Sequence, residues 1–278
     1  NAIINFFLIA VVLFAIVKVI NGVRDGHSKG LAELKSGFAT KEERKDWEEG
    51  AVTVSLSGDR EIRVTVAALM SFYELSKRAQ GRAHILSGGV TVSDVEIREN
   101  KKKRRIKGRY GKFTEADIDA MNAKLTDHQK EVADKLQQFM EKRGGELGNH
   151  VTLARFGEKA FGEKGYFPIS VDKQSLSTNN DKNVKGADLY RLLNMGFTKE
   201  LSSDTSQPVV LYSIFDVFST HMADMAQYNA MALPVLDAIR WLNYKHFEFE
   251  GDARVEKSNL RAELRRVYGA PVSKGGEV

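Results

Sequence analysis

Between Arg98 and Lys112 the chain carries nine lysines and arginines and a single carboxylate, Glu99. Lysine and arginine this dense attract phosphates by releasing condensed counterions. The residues that would make such contacts are Lys101, Lys102, Lys103, Arg104, Arg105, Lys107, Arg109 and Lys112. Their ligand would be DNA or another polyanion, with Tyr110 and Ile106 adding stacking or wedge contacts. Nine cations against one acid put the run at +8 and leave −3 for the rest of a chain whose net charge is +5. The basic character is therefore a local patch. Two other readings fit the same residues: a solvated connector between a β-containing part and a helical part, and contact with anionic lipid.

Other groups that could do chemistry are sparse. His221 and Asp224 lie three apart in a helical stretch, with Asp216 one to two turns earlier. That places His221 and Asp224 on one face, where they could hold a metal or relay a proton. A third and fourth ligand are missing, and a helix-surface or capping hydrogen bond is the plainer expectation. The six histidines are scattered with no HExxH spacing, and cysteine is absent, which excludes disulfides, thiolate metal sites and a cysteine nucleophile. No P-loop is present. These observations predict a non-catalytic protein with no cofactor and no metal. Met222, Met225, Tyr228 and Met231 form an apolar stripe. It reads as a packed helix–helix core or as an adaptable surface for a partner.

The elements that must position these groups are read from period and punctuation. Leu31 to Glu49 is polar and expected to be helical. Val52, Val54 and Leu56, then Ile62, Val64 and Val66, alternate about the turn residues Ser57-Gly58-Asp59, which is a β-hairpin signature. Ala67 to Gln80 reads as a helix ended by Gly81, and Ser87-Gly88-Gly89 as a turn. Val90, Val92, Val95 and Ile97 suggest a short strand or hairpin before the basic run. Thr114 begins a helix. Thr126 and Gln129 make a capping box for the next, which carries Val132, Leu136, Phe139 and Met140 and should end at Gly144-Gly145. Leu147 to Phe161 is a further helix, and Tyr166 to Ile169 is extended. Ser175 to Lys185 and Ser202 to Pro208 have loop composition. Leu211 to Tyr244 is helical with a kink or break at Pro234, and Ser258 is the N-cap of a last helix.

Ala2 to Ile20 is a different kind of segment. Nineteen residues at 1.5 Å rise make ~28 Å, which matches the hydrocarbon core of a bilayer. Lys18, Arg24 and Lys29 follow its apolar centre, so the carboxy-terminal side is expected to be cytoplasmic. No basic start and no A-x-A site support a signal peptide, and a buried core helix is the other alternative. Asn1 in place of methionine leads us to expect a fragment or a processed product. Residues 1–21, NAIINFFLIAVVLFAIVKVIN, resemble the second transmembrane helix of the large-conductance mechanosensitive channel of bacteria. That helix runs from outside to cytoplasm. Nothing in the chain corresponds to the family's pore-lining first helix.

A second resemblance covers residues ~50–278. It is carried by LMSFYELSKRAQGRAHILSGGV at 69–90, LTDHQKEVADKLQQFM at 125–140, GYFPI at 165–169 and NMGFTK at 194–199. IFDVFSTHMADMAQYNAMALPVLDAIRWLNY at 214–244 and LRAELRRVYG at 260–269 continue it. In this order they resemble the carboxy-terminal part of large polyvalent proteins of tailed phages and prophages. The role of this segment in such proteins is not defined; our expectation is a phage- or prophage-encoded helical module that binds DNA or other virion proteins, in the virion or the host cytoplasm. With a genuine amino-terminal span, the chain would instead be membrane-tethered or a channel-derived fusion, its body on the cytoplasmic face. The expected architecture is mainly α with a small β-hairpin element and one transmembrane helix. It divides into a span at 1–21, a linker and polar helix at 22–50, a small α/β subdomain at 51–112 and a helical domain at 113–278.

Overall fold

The computed structural model describes residues 35–99, 102–111, 113–169, 207–243, 247–250 and 253–256. The expectations for the span at 2–20, the connector after it, the loop at 175–185 and the helix at Ser258 lie outside these residues, as do Lys101 and Lys112. Among the described residues no helix is long and apolar enough to cross a membrane.

The helix expected from Leu31 is interrupted by a turn at 37–39 and starts afresh as α1 (Lys41–Glu49). Thr40 sets that start. Its hydroxyl accepts from the Glu43 N–H, and the Glu43 carboxylate accepts from the Thr40 N–H, a reciprocal cap of two otherwise orphaned donors. The expected hairpin follows as β1 (Ala51–Leu56) and β2 (Arg60–Thr65), paired from Ala51↔Thr65 to Leu56↔Arg60. Gly58 and Asp59 take positive φ in its turn. Val54, Leu56, Ile62 and Val64 point inward and are buried.

Thr65 caps α2 (Val66–Lys77), the central helix of the molecule. Leu69, Met70 and Phe72 on it are wholly buried. Each large apolar side chain buried this way contributes about 1.5–3 kcal/mol. The sequence places a helix end at Gly81. The break falls instead at Arg78, whose backbone is extended, and α3 (Ala79–Gly88) runs on through Gly81. Gly81 serves close packing: a Cβ there would lie 2.2 Å from the Leu75 carbonyl oxygen. Gly89 ends α3 with φ +77, a conformation that favours glycine.

The next elements are strands β3 (Val90–Glu99) and β4 (Lys102–Tyr110) and helices α4 (Glu115–Asn122) and α5 (Asp127–Phe139). Both helices begin with complete capping boxes, Thr114 with Asp117 and Thr126 with Gln129. Gly144-Gly145 does not stop α5. A π-helical turn at Met140–Gly144 carries the chain directly into α6 (Gly145–Phe156). The absence of a side chain at Gly144 admits His221, whose Nε2 would be 2.9 Å from a Cβ placed there. After α6 come a short strand β5 (Val209–Leu211), the 30-residue α7 (Ile214–Asn243) and a small hairpin, β6 (Phe247–Glu250) with β7 (Ala253–Glu256). Pro234 sits inside α7 without ending it.

The fold is thus mainly helical with small sheets, three among the described residues where the sequence predicts one hairpin and a short strand or hairpin after it. One apolar core takes side chains from Ala39 through Met222, on both sides of residue 112. Helix α2 lies against α1, α3, α4, α5 and α7. Met222, Met225 and Tyr228 are buried and Met231 is half-buried. The methionine stripe therefore packs inside the chain, and the partner-surface reading of it is corrected: three of its four side chains have no surface to offer.

Asp117 fastens the first hairpin to the helical layer. Its carboxylate accepts from the Ser57 N–H (2.6 Å), the Ser57 hydroxyl (2.5 Å) and the Thr114 N–H (2.8 Å). Burial opposes the charge, but these hydrogen bonds outweigh it and hold the carboxyl down at about 2. Asp117→Ala is expected to cost about 2 kcal/mol of stability, read by urea unfolding at neutral pH. A group with a depressed folded value stabilises above its usual 3.8 and loses that contribution as pH falls toward 2. The part of the difference that depends on the charge should therefore disappear in acid.

Candidate nucleic-acid interface

The basic run is a strand rather than a connector. β3 and β4 form an antiparallel ribbon, and β5 adds in parallel to β3, so the sheet order is β4-β3-β5 with β4 at the edge. The pairing runs Val90↔Tyr110, Thr91↔Arg109 and Val92↔Gly108. After a bulge at Ser93 and Asp94 it resumes with Val95↔Ile106, Ile97↔Arg104 and Glu99↔Lys102. One extra residue in β3 restores the inward set after the bulge, so that Val90, Val92 and Ile97 all reach the core. The Ser93 hydroxyl donates to the Leu211 carbonyl (3.0 Å) and ties the bulge to β5.

Alternation along a strand then sorts the cations. Lys102, Arg104, Ile106 and Tyr110 share the side of the ribbon that carries the core residues. Lys103, Arg105, Lys107 and Arg109 share the opposite side, and all four are exposed. Adjacent members stand about 6.8 Å apart, and the row spans about 20 Å. Arg98 joins this outer side and reaches Glu49 at the end of α1 (3.3 Å). Glu96, the acid among them, bonds Lys103 at 2.6 Å. That hydrogen bond first, and then the charges of Lys103, Arg105 and Arg98, hold its carboxyl below the usual range. On the other side Glu99 collects Arg63 (2.7 Å) and Arg104 (3.2 Å), which anchors the ribbon to β2. Arg60 donates to the Gly111 carbonyl (2.6 Å) and closes the far end.

The structure thus brings four of the eight sequence candidates into one outward row and assigns Lys102 and Arg104 to the other side. Two expected contributors are withdrawn. Ile106 is buried, so it is no wedge. Tyr110 is half-buried and packs against the core, its ring close over Gly108, so it is no stacking platform.

His221 is not on a helix surface. It is buried, with its ring centroid 5.3 Å from that of Tyr166. Burial lowers its pKa to about 4, so the imidazole is neutral at pH 7. Asp216, His221 and Asp224 do share one cleft, yet among the described residues no group of three or more histidine and acidic side chains could hold a metal ion. Sequence reasoning missed Glu74, a carboxylate buried on α2 beside Lys77. The available signal was an acid inside a helix that is apolar on nearly every side.

Compared with protein-family models, curated proteins and solved structures, the chain matches none.

Proposed function

We propose that this chain acts by binding rather than by catalysis, and that its ligand is the phosphate backbone of duplex DNA. The observation that carries the reading is the outward row Lys103, Arg105, Lys107 and Arg109 on an edge strand. A two-stranded β-ribbon fits the major groove, about 12 Å wide, and evenly spaced cations neutralise phosphates without reading bases. No aromatic side chain of β3 or β4 faces outward with the row, so base stacking on a single strand has no platform there. On the resemblance of residues ~50–278, we place the chain as a module of a large phage- or prophage-encoded protein, with other virion proteins as further partners. Fluorescence anisotropy with a labelled duplex over a salt series tests the reading. Affinity should fall steeply with salt and be the same for scrambled sequences. Salt-insensitive binding, or none, rejects it. Lysines and arginines on an edge strand also block edge-to-edge aggregation, and that role alone would then account for the row.

The apolar run Ala2–Ile20 favours a second reading, a membrane tether that sets this ribbon on the cytoplasmic face. Expressed in bacteria, the full chain should stay with the membrane pellet through carbonate extraction. Release into the supernatant removes the tether.

A further inference from the structure

The outer side of the β4-β3-β5 sheet carries its positive charge mainly in one line. On β4 that line is Lys103, Arg105, Lys107 and Arg109. On β3, about 4.8 Å away, Arg98 stands opposite Lys103, Glu96 opposite Arg105 and Thr91 opposite Arg109. Arg98 is the only cation in the sequence of β3, and it reaches Glu49 of α1. Glu96 is exposed and bonds Lys103. The third strand, β5, has no charged residue. A second row of phosphates laid over β3 would therefore meet a carboxylate at Glu96 and a guanidinium already engaged by Glu49.

The spacing of the line fits one strand of a duplex. Alternate residues of a β-strand stand about 6.8 Å apart, and four of them span about 20 Å. Successive phosphates of one DNA strand rise about 3.4 Å and turn about 36°, which sets them about 7 Å apart. Laid across the major groove, about 12 Å wide, the line would bring only its end residues to phosphates and would hold Arg105 and Lys107 over base edges. We propose, resting on the duplex-backbone reading above, that the line follows one strand of the duplex, one cation to each of four consecutive phosphates, and that Glu96 keeps the other strand off the sheet. Lys103 serves Glu96 and a phosphate together, because an ammonium has three donors. The site then needs charge on one strand only at the point of contact.

The test compares two short duplexes of equal charge, with methylphosphonate linkages as the uncharged positions. In the first, every linkage of one strand is uncharged and the other strand is native. In the second, every other linkage is uncharged in both strands. A patch that responds to charge density alone binds the two alike. A line that follows one strand finds four consecutive phosphates in the first and only two in any four of the second. Two lost contacts should weaken binding by about tenfold or more near about 0.1 M salt, so fluorescence anisotropy with the full chain should show the first duplex bound tighter by that factor. Lys103→Gln, Arg105→Gln, Lys107→Gln and Arg109→Gln together should abolish the preference. Affinities within about threefold of each other, a tighter second duplex, or a preference that survives the exchange overturns the proposal. Salt-dependent binding of the native duplex with no preference rejects the one-strand line alone. No binding of the native duplex rejects the phosphate reading and this proposal with it. The comparison of duplexes uses the unaltered chain and stands even if the variant fails to fold.

Discussion

Exchanging Lys103, Arg105, Lys107 and Arg109 together for glutamine is expected to remove most of the salt dependence of duplex binding. Each phosphate neutralised contributes about −0.9 to the slope of log affinity against log salt, so four contacts contribute about −3.6. Between about 50 and 200 mM salt the unaltered chain should therefore lose about 10²-fold more affinity than the variant. The comparison is clean because the four side chains point away from the core and are exposed. Glutamine keeps the edge polar, so the ribbon should retain its fold, which circular dichroism checks. The control is Lys102→Gln with Arg104→Gln, on the opposite side of the ribbon. That pair should change the slope far less. A four-glutamine variant with an unaltered slope would remove the phosphate role of the row.

The second large effect is on stability and comes from Glu74. Its side chain is 2% exposed, its carboxylate bonds Lys77 Nζ at 3.0 and 3.2 Å, and Lys77 is shared with Asp134 of α5 at 2.6 Å. Burial is the main influence and raises the carboxyl to about 7. Lys77 pulls against that rise, and the charge of Asp134 adds to it. The folded protein therefore keeps a proton that the unfolded chain gives up near the usual 4.5. Stability from this group is fully present below 4.5 and falls as pH rises toward about 7, by roughly 3 kcal/mol in all, then stays level. Glu74→Gln removes the titration and leaves Lys77 its bond to Asp134. Urea unfolding across that pH window should show a declining stability for the unaltered chain and a flatter profile for the variant. Parallel profiles would mean that Glu74 titrates alike in the folded and unfolded states.

Local signals were legible wherever the cause is local. The Thr126 capping box, the hairpin around Ser57-Gly58-Asp59 and the long helix past Leu211 all depend on residues within a few positions of one another. Glycine was misread for the opposite reason. Gly81 and Gly144 look like helix ends, yet each lies within a helical run, and at each a side chain would meet a neighbour: the Leu75 carbonyl six residues earlier, across the break at Arg78, in one case, and His221, far along the chain, in the other. Nothing next to Gly144 in the sequence announces His221.

The candidate site divides in the same way. By itself the sequence determined that a dense block of positive charge exists and that no familiar catalytic or metal-binding pattern accompanies it. Only tertiary structure decided how that charge is presented. Pairing of β4 with β3, and a one-residue bulge that keeps Val92 and Ile97 on the same inward side, turns the block into four cations in a row on one side of the ribbon and an exposed Arg104 held by Glu99 on the other. A strand has a period of two, so a shift of one residue in that pairing would exchange the sides. The register is held by the burial of Val90, Ile97 and Ile106, contacts between residues far apart in the chain.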